Sequence, residues 1–425
     1  MHRLFTGLAL GAAVALFATL TSAQQPLSPS ALREHPQIAY SRTRPNDPVA
    51  RLEQRLRAGE VVLAHDERNG FLRSVLAALD VPIDSQVLVF SKTSFQAAKI
   101  GPRTPRALYF NDTVSVGWVR GGEVLELAAQ DPSLGTIFYT LDQSSGAAPR
   151  FERNAACVQC HTSDATVNVP GMFATSVYPD TNGISQYALL YSTDHRKPFD
   201  TRWGGWYVTG RHRGEHIGNA FSQSADDVAV VPTPETTHVE RLEGRFDTAP
   251  YLRPDSDLVA LLVLEHQMHL LNLLTRAGWE ARVGAPLGGR SLQQTVNELV
   301  DYLLFVDEAE LPGPVAGSST FMTTFGQRGP RDRQGRSLRD FNLRDRVFEY
   351  PCSFLIYSAP FDQLPAEVRE AVYARMYAVL TGRDQHPRYA KLPDSRRKDI
   401  IDILADTKPD LPAYFRVDSP ANTSH

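Results

Sequence analysis

The chain has 425 residues, with 44 Lys and Arg against 48 Asp and Glu, a formal net charge of −4, 42% hydrophobic and 22% charged residues. That balance is ordinary for a folded globular protein and excludes both a disordered chain and a general nucleic-acid binder. The length exceeds what one hydrophobic core usually fills, so two or three structural units are expected, and three cysteines are too few for a disulfide scaffold.

The chain opens Met1-His2-Arg3, runs almost wholly apolar from Leu4 to Leu20, and passes through Thr21-Ser22-Ala23 into Gln24-Gln25. A basic start, an apolar run and a small-residue end are the pattern of a secretory signal peptide over residues 1–23. The alternative is an N-terminal membrane anchor, because the run approaches a spanning length. The small-residue end and the lack of a flanking basic stop favour cleavage. The expectation is a mature protein without stable membrane insertion, exported to the periplasm of a bacterium. Residues 24–60 read as a Pro-rich extended arm with a short helix at 49–56.

Residues 61–148 read as a β-rich unit. A helix at 71–79 has Asp66 as its candidate cap. Strands are expected at 87–90, 107–110, 114–119, 124–128 and 136–141, with Gly121-Gly122 turning one hairpin. Residues 149–245 show little periodicity, apart from possible strands at 184–192 and 206–209. Residues 246–418 are mainly helical. The strongest helix, 257–277, is Leu-dense on nearly all faces and therefore buried, with Asp255, Ser256 or Asp257 at its start and Gly278 as its stop. Further helices are expected at 292–306, 367–380 and 395–404. A long Gly- and Arg-rich loop lies at 313–346, and 419–425 is a polar tail. The fold class is α+β: a β-rich N-terminal unit, a central segment, and a helical C-terminal half.

The central segment contains Cys157-Val158-Gln159-Cys160-His161. This C-x-x-C-H spacing is that of covalent haem attachment. Two thiols three residues apart add to the two vinyl groups of one haem, and the adjoining histidine supplies the proximal iron ligand. A thioredoxin-like site would need a strand-to-helix context and no histidine. A zinc site would need two further ligands, and the third cysteine, Cys352, has no C-x-x-C partner. A disulfide across two intervening residues would be strained.

On Cys157, Cys160 and His161 the chain resembles the c-type cytochromes. Its wider sequence, including 202–207 and 264–267, is similar to large bacterial proteins that carry a cytochrome c domain. The resemblance implies one covalent haem c and one-electron transfer with a periplasmic redox partner. Small members of that family supply a methionine ligand a few tens of residues after the motif. Here the first methionine afterwards is Met172, followed by Met268.

A sixth ligand decides between electron carriage and chemistry at the iron. Candidates are His212 and His216 in a Gly-rich segment, His266 beside His269 on one face of the long helix, and Met172. Each has a plainer reading: surface histidines, a hydrogen-bonded core histidine, a packing methionine. Trp203 and Trp206 flank a Gly pair and can pack against a macrocycle or fill a hairpin core. The seven arginines of 328–346 can bind carboxylates or form a solvated loop. Cys352 reads as a buried small hydrophobe. Two functions follow: a periplasmic one-electron carrier, or a haem enzyme of peroxidase- or oxygenase-like type with an open or displaceable sixth ligand.

Overall fold

A computed structural model describes residues 27–146, 148–185, 191–222 and 232–417. The signal expected at 1–23 and the tail at 419–425 lie outside the described residues, as does the 186–190 part of one expected strand. The arm at 27–47 carries one short helix, α1 (Pro29–Arg33), and seals the core with Leu32, Ile38 and Tyr40. Helix α2 (Pro48–Arg57) follows, with Asp47 accepting from the amides of Val49 and Ala50, and then α3 (Leu72–Ala78). Asp66 does not cap α3. Its carboxylate accepts from the amides of Arg68 and Asn69 in a turn that closes before the helix begins.

The alternating apolar residues of 87–142 form the centre of a seven-stranded antiparallel sheet. Strands β1 (Val87–Val89), β2 (Arg106–Phe110), β3 (Val114–Trp118), β4 (Val124–Asp131), β5 (Gly135–Asp142) and β6 (Phe151–Arg153) pair in sequence. Gly121, at φ +68°, permits the turn between β3 and β4. The motif helix α4 (Cys157–Cys160) comes next, then the small pair β7 (Ala174–Ser176) and β8 (Tyr191–Thr193), then β9 (Trp206–Tyr207), which adds to the free side of β1. Short strands β10 (Gly210–Arg211) and β11 (Ala316–Gly317) pair with each other.

The C-terminal half is helical: α5 (Pro234–Thr237), α6 (Leu258–Val283), α7 (Leu292–Leu303), α8 (Phe321–Gly326), α9 (Ala359–Asp362), α10 (Ala366–Leu380) and α11 (Asp394–Thr407). Helix α6 is long and apolar enough to cross a membrane, yet it is buried within the protein. It lies on the sheet face that carries Ser115, Ala128, Gln130, Thr136 and Phe138, where Gln130 donates to Thr275 at 3.0 Å. Asp257 caps its start by accepting from the Ala260 amide. Gly278 does not stop it; the left-handed residue is Gly284, at φ +69°. Contacts beyond Gly278 carry the helix on: Trp279 donates to the Ser133 carbonyl, and Arg276 pairs with Glu280 at 2.9 Å. Helix α7 ends three residues before the expected 306, because Phe305 and Asp307 take left-handed φ values. The Arg-rich segment is a strap rather than an open loop. Arg328 reaches Asp80 and Arg339 reaches Asp112 on the β unit, while Arg333 and Arg336 pair with Asp406 and Asp399 of α11.

Candidate functional site

Helix α4 is one turn long and hangs from the sheet. The Asn154 amide donates to Phe138 of β5, and the Asn154 side chain accepts from the Ala156 amide, starting the turn. Cys157 packs half-buried against the core, Cys160 is exposed, and neither is in a disulfide. Burial pushes the Cys157 thiol up, and the nearby Glu126 carboxylate adds to the rise. His161 closes the turn with its amide on the Cys157 carbonyl. Its ring lies between Phe138 and Phe173, with centroids 4.7 and 5.3 Å away.

The tautomer of His161 follows from its partner. Nδ1 lies 2.8 Å from the Gly171 carbonyl oxygen, which only accepts, so Nδ1 carries the proton and Nε2 keeps its lone pair. Burial lowers the pKa of His161, which favours this neutral form. The Gly171 amide returns a hydrogen bond of 2.9 Å to the His161 carbonyl. Beside the motif, Glu126 accepts from Ser94, Gln96 and Arg106. Arg106 Nε is buried with no hydrogen-bond partner among the described residues.

The structure gathers Cys157, Cys160, His161 and Met172, but not the three histidine candidates for a sixth ligand. Met172 follows Gly171 on the Nδ1 side of His161. It lines a cavity of about 20 Å³ with Gln130, Thr136, Gln267 and Met268. His212 and His216 belong to the segment that Asn219 ties to β9 at Trp206 and to Val208 just after it. In the sheet order β9 stands at one edge, five places from β5. His216 Nδ1 accepts from the Gly218 amide, so its Nε2 holds the proton and has no lone pair to give. His212 Nε2 donates to the Thr237 carbonyl.

His266 is fully buried and both its nitrogens are used. Nδ1 bonds His195 Nδ1 at 2.9 Å, Nε2 bonds Ser353 Oγ at 2.7 Å, and Phe305 stacks on the ring. Trp203 is buried against Phe199 and His216, and Trp206 donates to the Thr175 carbonyl. Cys352 is fully buried. Phe138, Phe173, Gly171 and Asn272 were not singled out by sequence reasoning. The Pro170-Gly171 pair ten residues after His161 was the one local signal.

Compared with protein-family models, curated proteins and solved structures, the chain matches none. The residues themselves fit a covalent haem: two free thiols on one helical turn, and an adjoining imidazole with its lone pair on the far nitrogen. Among the described residues no group of three or more His, Cys, Asp or Glu is placed to hold a bare metal ion. A porphyrin supplies four of the iron's ligands, so one axial histidine is a sufficient protein contribution.

Proposed function

We propose that the chain is an exported mono-haem c-type cytochrome that passes single electrons to and from a redox partner in the periplasm. The observation that carries this reading is the Cys157–Cys160 turn, with the Nδ1 proton of His161 engaged by Gly171. When bound, haem c supplies a one-electron iron couple. Cys157 and Cys160 would hold it through thioethers, and His161 Nε2 would ligate its iron. Phe138 and Phe173 shield the imidazole from water, and the Gly171 carbonyl holds its ring orientation and raises its basicity. Export is supported by the basic, apolar and small-residue pattern of residues 1–23, since haem of this type belongs to the same extracytoplasmic setting.

A second reading has its own support. Met172 lies on the Nδ1 side of His161, while His212, His216 and His266 bond elsewhere. That favours an open or displaceable sixth position, as a haem enzyme needs. The test is an electron paramagnetic resonance spectrum of the ferric protein, matured in a host that attaches haem c, with and without cyanide. A low-spin signal unchanged by cyanide supports the carrier. A high-spin signal that cyanide converts to low-spin overturns the carrier in favour of the enzyme.

A further inference from the structure

We propose that Asn272, far from the motif in sequence but in contact with the strap beside it, is a positioning residue for His161. This inference rests on the haem reading above and adds how the protein sets the strength of the proximal ligand.

The segment Pro170-Gly171-Met172 is a strap held from two sides. The Thr136 amide of β5 donates to the Pro170 carbonyl at 3.3 Å, and Asn272 Nδ2 of α6 donates to the Met172 carbonyl at 2.8 Å. Between these two anchors lies the Gly171 carbonyl that accepts from His161 Nδ1. Asn272 is 1% exposed. Its amide orientation is fixed by chemistry, because a carbonyl can only accept and Nδ2 is the only donor the side chain has.

The Asn272 Oδ1 is buried without a partner, packed where a side chain at position 171 would begin. A Cβ on Gly171 would sit 2.0 Å from that oxygen. Position 171 is thus glycine for reasons of space, and Asn272 is the side chain that claims the space. The helix most deeply set in the core thereby fixes where the histidine's acceptor stands. An acceptor held on Nδ1–H strengthens the imidazole as a donor at Nε2, and losing such an outer contact typically costs about 10- to 100-fold in ligand affinity.

The test uses the full-length haem-loaded protein with Asn272→Leu, which keeps the number and branching of the side-chain heavy atoms and removes the donor, and Gly171→Ala, which strikes the same contact from the strap. Gln267→Leu is the control. It removes a comparable buried bond from α6, that of Nε2 to the Asn111 carbonyl, at a side chain that shares a cavity with Met172 but makes no hydrogen bond to the strap. Covalent haem content should stay at the wild-type level in all three, since the thioethers depend on Cys157 and Cys160. Asn272→Leu and Gly171→Ala should raise the midpoint potential. They should also move the pH at which acid displaces His161 from the iron upward by roughly one unit or more, the tenfold affinity loss expressed as proton competition. Gln267→Leu should move neither.

Haem-loaded variants with wild-type potential and acid-release pH would overturn the positioning role alone. Equal shifts in Gln267→Leu would reduce it to general loosening of α6, and would overturn it too. A wild-type chain that takes no covalent haem would overturn the reading on which it rests. Asn272→Ser, smaller and still polar, serves if the leucine variant does not fold, and is expected to shift both readouts in the same direction.

Discussion

At the scale of single residues, partners decide chemical state. His216 and His266 are buried imidazoles and His161 is half-buried, yet only His161 has its proton drawn to Nδ1 by a carbonyl while Nε2 makes no hydrogen bond among the described residues. Sequence spacing identified the cysteines and His161 because haem attachment is local chemistry, written in five consecutive residues. It did not identify Asn272 or Phe138, whose relation to His161 exists only once α6 and β5 are packed. A second residue-scale feature is the buried pair Arg202–Glu265, 3.5 Å apart and each 1% exposed. Burial pushes the Glu265 carboxyl up to about 7, against the pull of Arg202. Replacing Arg202 with Leu leaves that carboxylate uncompensated and should cost about 3–5 kcal/mol at pH 8. The cost should shrink at pH 5, where Glu265 is protonated. Urea unfolding of Arg202→Leu at the two pH values checks this, and an equal loss at both would contradict it.

At the scale of elements, the alternating apolar residues of β1 to β5 made the sheet legible, because antiparallel pairing follows from patterns within each strand and from short turns. The edge strands were less so. β6, three residues long, was not expected; a strand at 206–209 was, and β9 forms there, but its place at the sheet edge rests on pairing of Trp206 with Val89, more than a hundred residues away. The end of α6 was misread for a related reason. A glycine mid-helix costs little when the next turn is anchored, and Trp279, Arg276 and Glu280 anchor it. Two substitutions distinguish the glycines. A Cβ at Gly278 meets only ordinary contacts, at 3.6 Å from Leu364 and 4.0 Å from Pro365, so Gly278→Ala should stabilise by about 0.5–1 kcal/mol. Gly284→Ala, at φ +69°, should destabilise by about 1–2 kcal/mol. Thermal unfolding of both variants checks the pair, and stabilisation by Gly284→Ala would place the helix end elsewhere.

At the scale of the whole molecule, sheet and helices share one continuous core, and α6 joins them. The α+β class was legible from composition and periodicity; the joining was not, since it depends on contacts between halves. Buried imidazoles at this junction give the protein an acid limit. Burial lowers the pKa values of His216 and His266 to about 3, and holds His195 well below its usual range. Their unfolded values are near 6.5, so the unfolded chain takes up protons first. Stability present above pH 6.5 is lost as pH falls toward 3, at about 1.4 kcal/mol per group per pH unit. Glu265 acts in the opposite sense between about 4.5 and 7, being protonated in the folded state and ionised in the unfolded one. The fall should therefore be shallower from pH 6.5 to 4.5 than below, which unfolding midpoints at about pH 6.5, 5.5, 4.5 and 3.5 would show. A midpoint that rises on acidification below 4.5 would contradict it.

The central claim is that Cys157 and Cys160 hold a haem. The direct measurement is intact mass, with a haem stain on a denaturing gel, of wild type and the Cys157→Ala, Cys160→Ala double variant produced with a haem c maturation system. Wild type should carry the mass of one haem through denaturation and stain, and the double variant should do neither. A wild-type chain without bound haem, or a double variant that retains it covalently, would contradict the account.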